Sequence, residues 1–82
     1  MIIVTLRFFS VLREAFGAGV AEVELDPGTT GQGLIELLAA NNDEFAGIQS
    51  VVRLAVNDEY VELDLPLSDG DEIALITPVS GG

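Results

Sequence analysis

The residues of this sequence that are best suited to chemistry are its last two, Gly81 and Gly82. Glycine has no Cβ, so a chain ending in two glycines can pass through a narrow channel and approach a reacting group closely. At neutral pH the α-carboxyl group is an anion and a poor electrophile. It must therefore be activated from outside, for example as a mixed anhydride with AMP, before it takes up sulfur or acylates a thiol or amine. The residues alone do not choose between these outcomes.

The segment that carries this carboxyl group begins at a proline. Pro78 cannot continue a strand's hydrogen-bond ladder, so we predict that the last strand ends before it. Pro78, Val79, Ser80, Gly81 and Gly82 are predicted to form a flexible tail that inserts into a partner's active site. Five residues extend at most about 16–18 Å, at about 3.3–3.6 Å each. We expect a folded domain over residues 1–77 and this tail over 78–82.

The rest of the sequence lacks the residue types that independent catalysis uses most often. It contains no cysteine and no histidine, which excludes disulfides, thiolate nucleophiles, Ser–His pairs and the usual zinc sites. The run Asp69-Gly70-Asp71 offers too few oxygen ligands for a calcium loop and is more typical of a turn. We expect no metal site and no catalytic site of the chain's own.

The charge balance is strongly acidic. Fourteen acids oppose three basic residues, all of them arginines (Arg7, Arg13 and Arg53), which gives a net charge of −11. Nucleic-acid binding requires basic side chains, so nucleic acid is a poor candidate partner, and a basic protein surface is a better one. Because the chain has no lysine, it cannot form a lysine-linked polymer of itself.

Targeting signals are not evident in the sequence. No apolar run reaches the roughly 18–20 residues of a membrane span. The first residues lack the basic region and cleavage site of a signal peptide. We therefore expect a cytoplasmic protein that does not contact a membrane.

Hydrophobic periodicity predicts the elements that must position the tail. Residues 1–9 and 20–25 alternate as strands, and the first of these places Ile2, Val4, Leu6 and Phe8 on the core side. Ser10 is predicted to cap a short helix that ends at Gly17. The main helix is expected to start at Thr29, in a capping box with Gln32, or at Thr30.

That helix has an apolar stripe at Leu34, Leu37 and Leu38 and is expected to stop at Asn41-Asn42, where asparagine can adopt a left-handed conformation. Residues 43–50 are predicted to be irregular or a short helical turn. Further extended segments are expected at 51–57, 60–62 and 72–77, and the last is apolar on both faces, which is typical of a central strand.

This order of elements favours an α+β fold of the ubiquitin-like β-grasp type. In that fold the first and last strands lie side by side and parallel in the middle of a mixed sheet, and one main helix crosses one face. The alternative is a ferredoxin-like α+β fold. That fold needs a second full helix, for which residues 43–50 are too short.

Four runs of residues, taken in order, carry a resemblance to a known family. They are Phe8-Phe9-Ser10-Val11-Leu12-Arg13-Glu14, Ala55-Val56-Asn57, Leu67-Ser68-Asp69-Gly70-Asp71-Glu72 and Pro78-Val79-Ser80-Gly81-Gly82. With them the chain resembles the small, sulfur-carrying subunits of molybdopterin synthase over nearly its whole length. One departure is Thr77, where the family usually has a second proline.

The resemblance implies a function for the tail. An adenylating, ubiquitin-activating-like enzyme would use ATP and magnesium to adenylate Gly82, and a sulfur donor would convert it to a thiocarboxylate. The tail would then enter the large synthase subunit and pass sulfur to cyclic pyranopterin monophosphate in molybdenum cofactor biosynthesis. Two carriers would flank a large-subunit dimer as a heterotetramer. The family's docking residues correspond to Phe9, Tyr60 and Ile76.

Other functions fit the same tail. A sulfur carrier for thiamine biosynthesis shares the fold and the Gly-Gly end, but such proteins usually lack the Phe-Phe-Ser-x-x-Arg-Glu segment. A ubiquitin-like protein modifier would instead join Gly82 to lysines of other proteins. A plain interaction module with an inert tail would be indifferent to deletion of Gly82.

Overall fold

The computed structural model describes residues 1–77, so the predicted tail lies outside the described residues. The strands are β1 (Ile2–Phe8), β2 (Val20–Leu25), β3 (Arg53–Val56), β4 (Glu59–Tyr60) and β5 (Glu72–Ile76). The helices are α1 (Val11–Phe16), α2 (Gly31–Asn41) and α3 (Asp43–Ala46), and a 3₁₀ turn covers Gln49–Val51. The third predicted extended segment is therefore shorter than expected, because its first residue, Val51, belongs to the 3₁₀ turn.

The five strands form one mixed sheet in the order β2-β1-β5-β3-β4. Strands β1 and β5 are parallel, with Leu6 opposite Ile73, and the other neighbours are antiparallel. The two-faced apolar strand β5 is central, as its sequence predicts, and β2 is an edge strand. This arrangement confirms the ubiquitin-like β-grasp and excludes the ferredoxin-like alternative.

The core lies between one face of this sheet and the helices. Alternation along β1 buries Val4, Leu6 and Phe8, whereas Ile2 is half-buried at the edge of the core. The ring of Phe8 stacks on Phe16 at a centroid distance of 4.4 Å. Helix α1 adds Leu12, and helices α2 and α3 and the central strands contribute most of the other large buried side chains, which include Leu34, Ile35, Phe45, Leu54, Ile73 and Leu75.

The main helix begins at Thr30 and not in a Thr29–Gln32 capping box. The Thr30 hydroxyl accepts a hydrogen bond of 3.1 Å from the Gly33 amide. The Thr29 hydroxyl instead donates to the Asp26 carbonyl at 2.7 Å, within the preceding turn. The capping-box expectation was wrong, and Thr30, the competing cap, was right.

Helix α2 stops at Asn41-Asn42 as predicted, but the predicted left-handed conformation was wrong. Asn42 ends the helix in an extended conformation, with φ −151°. Its side-chain oxygen accepts a 3.0 Å hydrogen bond from the Phe45 amide. Asn42 therefore starts helix α3 at the point where α2 ends.

The predicted N-cap at Ser10 was also wrong. Ser10 precedes α1, but its side chain caps no amide, and its backbone has φ 50° and ψ −124°. The Leu12 amide donates to the Phe9 carbonyl at 3.0 Å. Phe9 to Leu12 thus form a type II′ turn, whose first central position normally favours glycine. Helix α1 ends as predicted at Gly17, which is left-handed.

Candidate docking face and tail attachment

The predicted tail begins next to the centre of the sheet. Thr77, the last described residue, directly follows β5, which has a hydrogen-bonded neighbour on each side. A strand held on both sides has little freedom to move. The sheet therefore fixes the position of β5, which Thr77 directly follows. Pro78, Val79, Ser80, Gly81 and Gly82 themselves lie outside the described residues.

The face of the sheet opposite the core, which we call the helix-free face, carries a row of small and apolar side chains. Strand pairing places Ala74 between Arg7 and Ala55, and Ala55 opposite Tyr60. Small alanines at the centre of the row make this face shallow. A partner surface can consequently approach the sheet closely here.

The three predicted docking residues border this row. Tyr60 is 68% exposed and Phe9 is 46% exposed, so both aromatic rings are accessible to a partner. Ile76 is half-buried, two positions beyond Ala74 on the same face. Phe9 follows the end of β1 at the level where β5 ends, because Phe8 is opposite Leu75. The placement agrees with a docking surface next to the tail, and the binding role of these residues stays a prediction.

A hydrogen-bond network fixes the opposite end of β5. The Asn57 side chain donates to Asp71 at 3.1 Å and accepts from the Glu72 amide at 3.1 Å. Asp71 also accepts from the Ser68 amide at 2.8 Å. Two of the sequence runs that carry the family resemblance thus meet in space. Their role is structural, since they hold the start of the strand that leads to the tail.

The run Asp69-Gly70-Asp71 is a turn, as predicted. The Asp69 carboxylate accepts a hydrogen bond from the Ile3 amide at 2.8 Å, and Gly70 is left-handed with φ 84°. Among residues 1–77, no group of three or more acidic side chains is placed to hold a metal ion. In the same range, none of the helices combines the length and apolarity needed to cross a bilayer.

The two arginines on the helix-free face differ in whether they form an ion pair. Arg7 forms an ion pair with Glu72 at 2.6 Å. Arg53, the first residue of β3, lies directly opposite Ile76 and is exposed. Its side chain forms no ion pair or hydrogen bond with residues 1–77. The sequence showed Arg53 only as one of three charges, although strand alternation with Ala55 could have placed it on this face.

Comparison with known proteins identifies the class of protein to which this fold and surface belong. The model of the ThiS family matches residues 6–82. A molybdopterin synthase sulfur carrier subunit of Escherichia coli is 38% identical over 81 residues, which cover 96% of this chain and 99% of that protein. The chain therefore belongs to the ThiS family, and within it to the molybdopterin synthase sulfur carrier subunits.

Two solved structures add to this likeness. One is a complex of subunits 1 and 2 of the molybdopterin-converting factor from Helicobacter pylori. The matching chain has a TM-score of 0.70 and 26% identity, over 99% of this chain and 100% of that one. The other is SAMP1 from Haloferax volcanii, with a TM-score of 0.78 and 26% identity, over 98% of this chain and 99% of that one.

Proposed function

We propose that this chain carries sulfur on Gly82 and delivers it to a molybdopterin synthase large subunit in molybdenum cofactor biosynthesis. The observation that supports this most strongly is the position of Thr77. The residue before the Pro-Val-Ser-Gly-Gly sequence directly follows the central strand, next to a face that exposes Phe9 and Tyr60. A domain that docks by this face can hold its tail at a partner's active site.

The chain supplies only the carboxyl group, so the chemistry requires two protein partners, an adenylating enzyme and the large synthase subunit. An adenylating enzyme uses ATP and magnesium to join AMP to the Gly82 carboxylate, and pyrophosphate leaves. A sulfide-equivalent donor then attacks the carbonyl carbon, the bond to AMP breaks, and a thiocarboxylate forms. Transfer of that sulfur to cyclic pyranopterin monophosphate, with water supplying the replacement oxygen, regenerates the carboxylate.

The proposed receiving partner is the large, catalytic synthase subunit, in a heterotetramer of two carriers on a large-subunit dimer. The H. pylori complex of subunits 1 and 2 supports a direct contact of this kind. The net charge of −11 favours a basic surface on that partner. The carrier's part is positional, because it presents a reagent to a site that another chain builds.

Intact-mass measurement tests the proposal. Incubation with the adenylating enzyme, ATP, magnesium and a sulfide donor should exchange one oxygen of the carrier for one sulfur. A variant lacking Gly82 should show no exchange and no product in a reconstituted synthase, with an unchanged unfolding midpoint. Full product formation by that variant would contradict the proposal.

Protein modification is the second candidate, and the likeness to SAMP1, a small archaeal modifier protein by name, favours it. The same activated Gly82 would then acylate lysine amines of other proteins. Lysine-linked chains of this protein are excluded because it has no lysine. Peptide mapping of cellular proteins for lysines that carry the C-terminal Gly-Gly remnant distinguishes this candidate from a pure sulfur carrier.

A further inference from the structure

We infer that Arg53 and the groove beside it recognise a carboxylate side chain of the large synthase subunit. The inference rests on the proposed function, since it assigns a specificity contact to the same docking face. It adds a polar contact of defined chemistry to the apolar residues Phe9, Tyr60 and Ile76.

The three arginines differ in the contacts that their guanidinium groups make within the chain. Arg7 is paired with Glu72 at 2.6 Å. The Arg13 guanidinium packs against Gly19, where a Cβ would lie 3.3 Å from its Nε atom. Neither Arg13 nor Arg53 forms an ion pair or a side-chain hydrogen bond within residues 1–77. Of these two, Arg53 is the one that lies on a strand of the helix-free face and lines the groove, so its five donors are available to a partner that docks there.

A groove runs beside Arg53 at the edge of the sheet. It has a volume of about 580 Å³ and is lined by two segments, residues 50–54 and 60–63. Its apolar lining includes Tyr60 and Val51, which are 68% and 49% exposed. Glu62 also lines the groove but forms no ion pair with Arg53. A guanidinium beside an aromatic and an aliphatic side chain suits an acidic residue that is flanked by an apolar one.

Charge complementarity identifies the occupant. A partner that complements a chain of net charge −11 is mainly basic. Such a surface would repel Arg53 and leave its guanidinium unpaired on docking, which is costly when the group is dehydrated. A carboxylate placed opposite removes that cost through paired, parallel hydrogen bonds. A second copy of this chain is the less suitable occupant, because two such acidic chains repel each other.

The position of Arg53 connects this contact to the tail. Arg53 is directly opposite Ile76, the residue before Thr77. An ion pair here would fix the partner beside the strand from which the tail continues. It would also select against partners that present a basic group at this point.

Affinity measurements with the purified large subunit of the same organism test the inference. Arg53→Gln should weaken binding about tenfold, in line with loss of a charged hydrogen-bonded contact. Arg53→Lys should lie between wild type and Arg53→Gln, because a lysine keeps the charge but loses the paired geometry. Ala40→Glu is the matched control, since it makes the same change in net charge at an exposed position of α2 and should leave affinity within about twofold.

Charge reversal sharpens the test. Arg53→Glu should bind still more weakly, and replacing one acidic residue of the large subunit by lysine should restore its binding. Equal affinity of wild type and Arg53→Gln, or equal losses in Arg53→Gln and Ala40→Glu, would overturn the inference. So would a wild-type self-association that Arg53→Glu abolishes. If wild type itself fails to bind the large subunit, the proposed function fails.

Discussion

The side-chain amide of Asn57 donates a hydrogen bond of 3.1 Å to the carboxylate of Asp71. The two residues belong to different turns, one between β3 and β4 and the other before β5. Asn57 also has a left-handed backbone, with φ 51°. One asparagine thus joins two turns and adopts a conformation that most side chains resist.

Replacing Asn57 should separate these two contributions. Asn57→Gly keeps the left-handed conformation but loses the hydrogen bonds, and should lower the free energy of unfolding by about 1 kcal/mol. Asn57→Ala loses both and should lower it by about 2 kcal/mol. Urea unfolding measures both values. Equal losses in the two variants would show that the backbone conformation contributes nothing.

Replacing Ser10 by glycine should stabilise the protein, whereas replacing it by alanine should leave the stability nearly unchanged. Its φ of 50° and ψ of −124° suit glycine, so Ser10→Gly should raise the free energy of unfolding by about 1 kcal/mol. Ser10→Ala is the control. Because the serine side chain caps no amide, Ser10→Ala should change stability by less than about 0.5 kcal/mol. A loss of about 1 kcal/mol in Ser10→Ala, typical of a lost N-cap, would contradict the structure.

Two glycines in the first turn of α2 should respond oppositely to alanine. A Cβ on Gly31 would lie 2.8 Å from the Leu54 Cδ1 atom, and Leu54 is fully buried. Gly31→Ala should therefore cost about 1–2 kcal/mol. A Cβ on Gly33 would meet a methyl group of Thr29 at 3.2 Å and the Thr30 hydroxyl oxygen at an ordinary contact distance of 3.6 Å, and the helix favours alanine. Thermal unfolding should show Gly33→Ala to be neutral or slightly stabilising; a reversed order would contradict the packing of α2.

The docking role of Phe9 can be tested against a matched residue on the helical side. Phe9 is 46% exposed and Leu37, on α2, is 42% exposed. Phe9→Asp should weaken large-subunit binding more than about tenfold, as expected of a buried aromatic contact in an interface. Leu37→Asp should leave the affinity nearly unchanged. Calorimetric titration measures both, and equal losses would remove Phe9 from the interface.

Most of the fold was predictable because its strands alternate strongly. The alternation of β1 and the two apolar faces of β5 were enough to predict the parallel central pair, which the structure confirms. What was missed depends on contacts distant in sequence. Phe45 is fully buried although residues 43–50 show no periodicity, and the glycine at position 31 is explained by the close approach of the Leu54 side chain and the Leu63 backbone.

Less of the candidate site than of the fold could be predicted from the sequence. The tail at Pro78 to Gly82 and the docking residues stay predictions, the first made from the order of residues and the second from family resemblance. The availability of Arg53 could not be predicted, because it depends on which carboxylates lie near each arginine in space. Glu72 neutralises Arg7, 65 positions earlier in the chain, and that pairing is a product of the parallel strands.

The parallel pairing of β1 and β5 also separates the two ends of the described chain. Met1 and Phe9 are eight residues apart, or about 26 Å at about 3.3 Å per residue, and Phe9 is level with the end of β5. Five further residues reach at most about 16–18 Å. A dye, affinity handle or solid support attached at Met1 would therefore lie at the end of the sheet opposite Thr77, farther away than a five-residue segment can span.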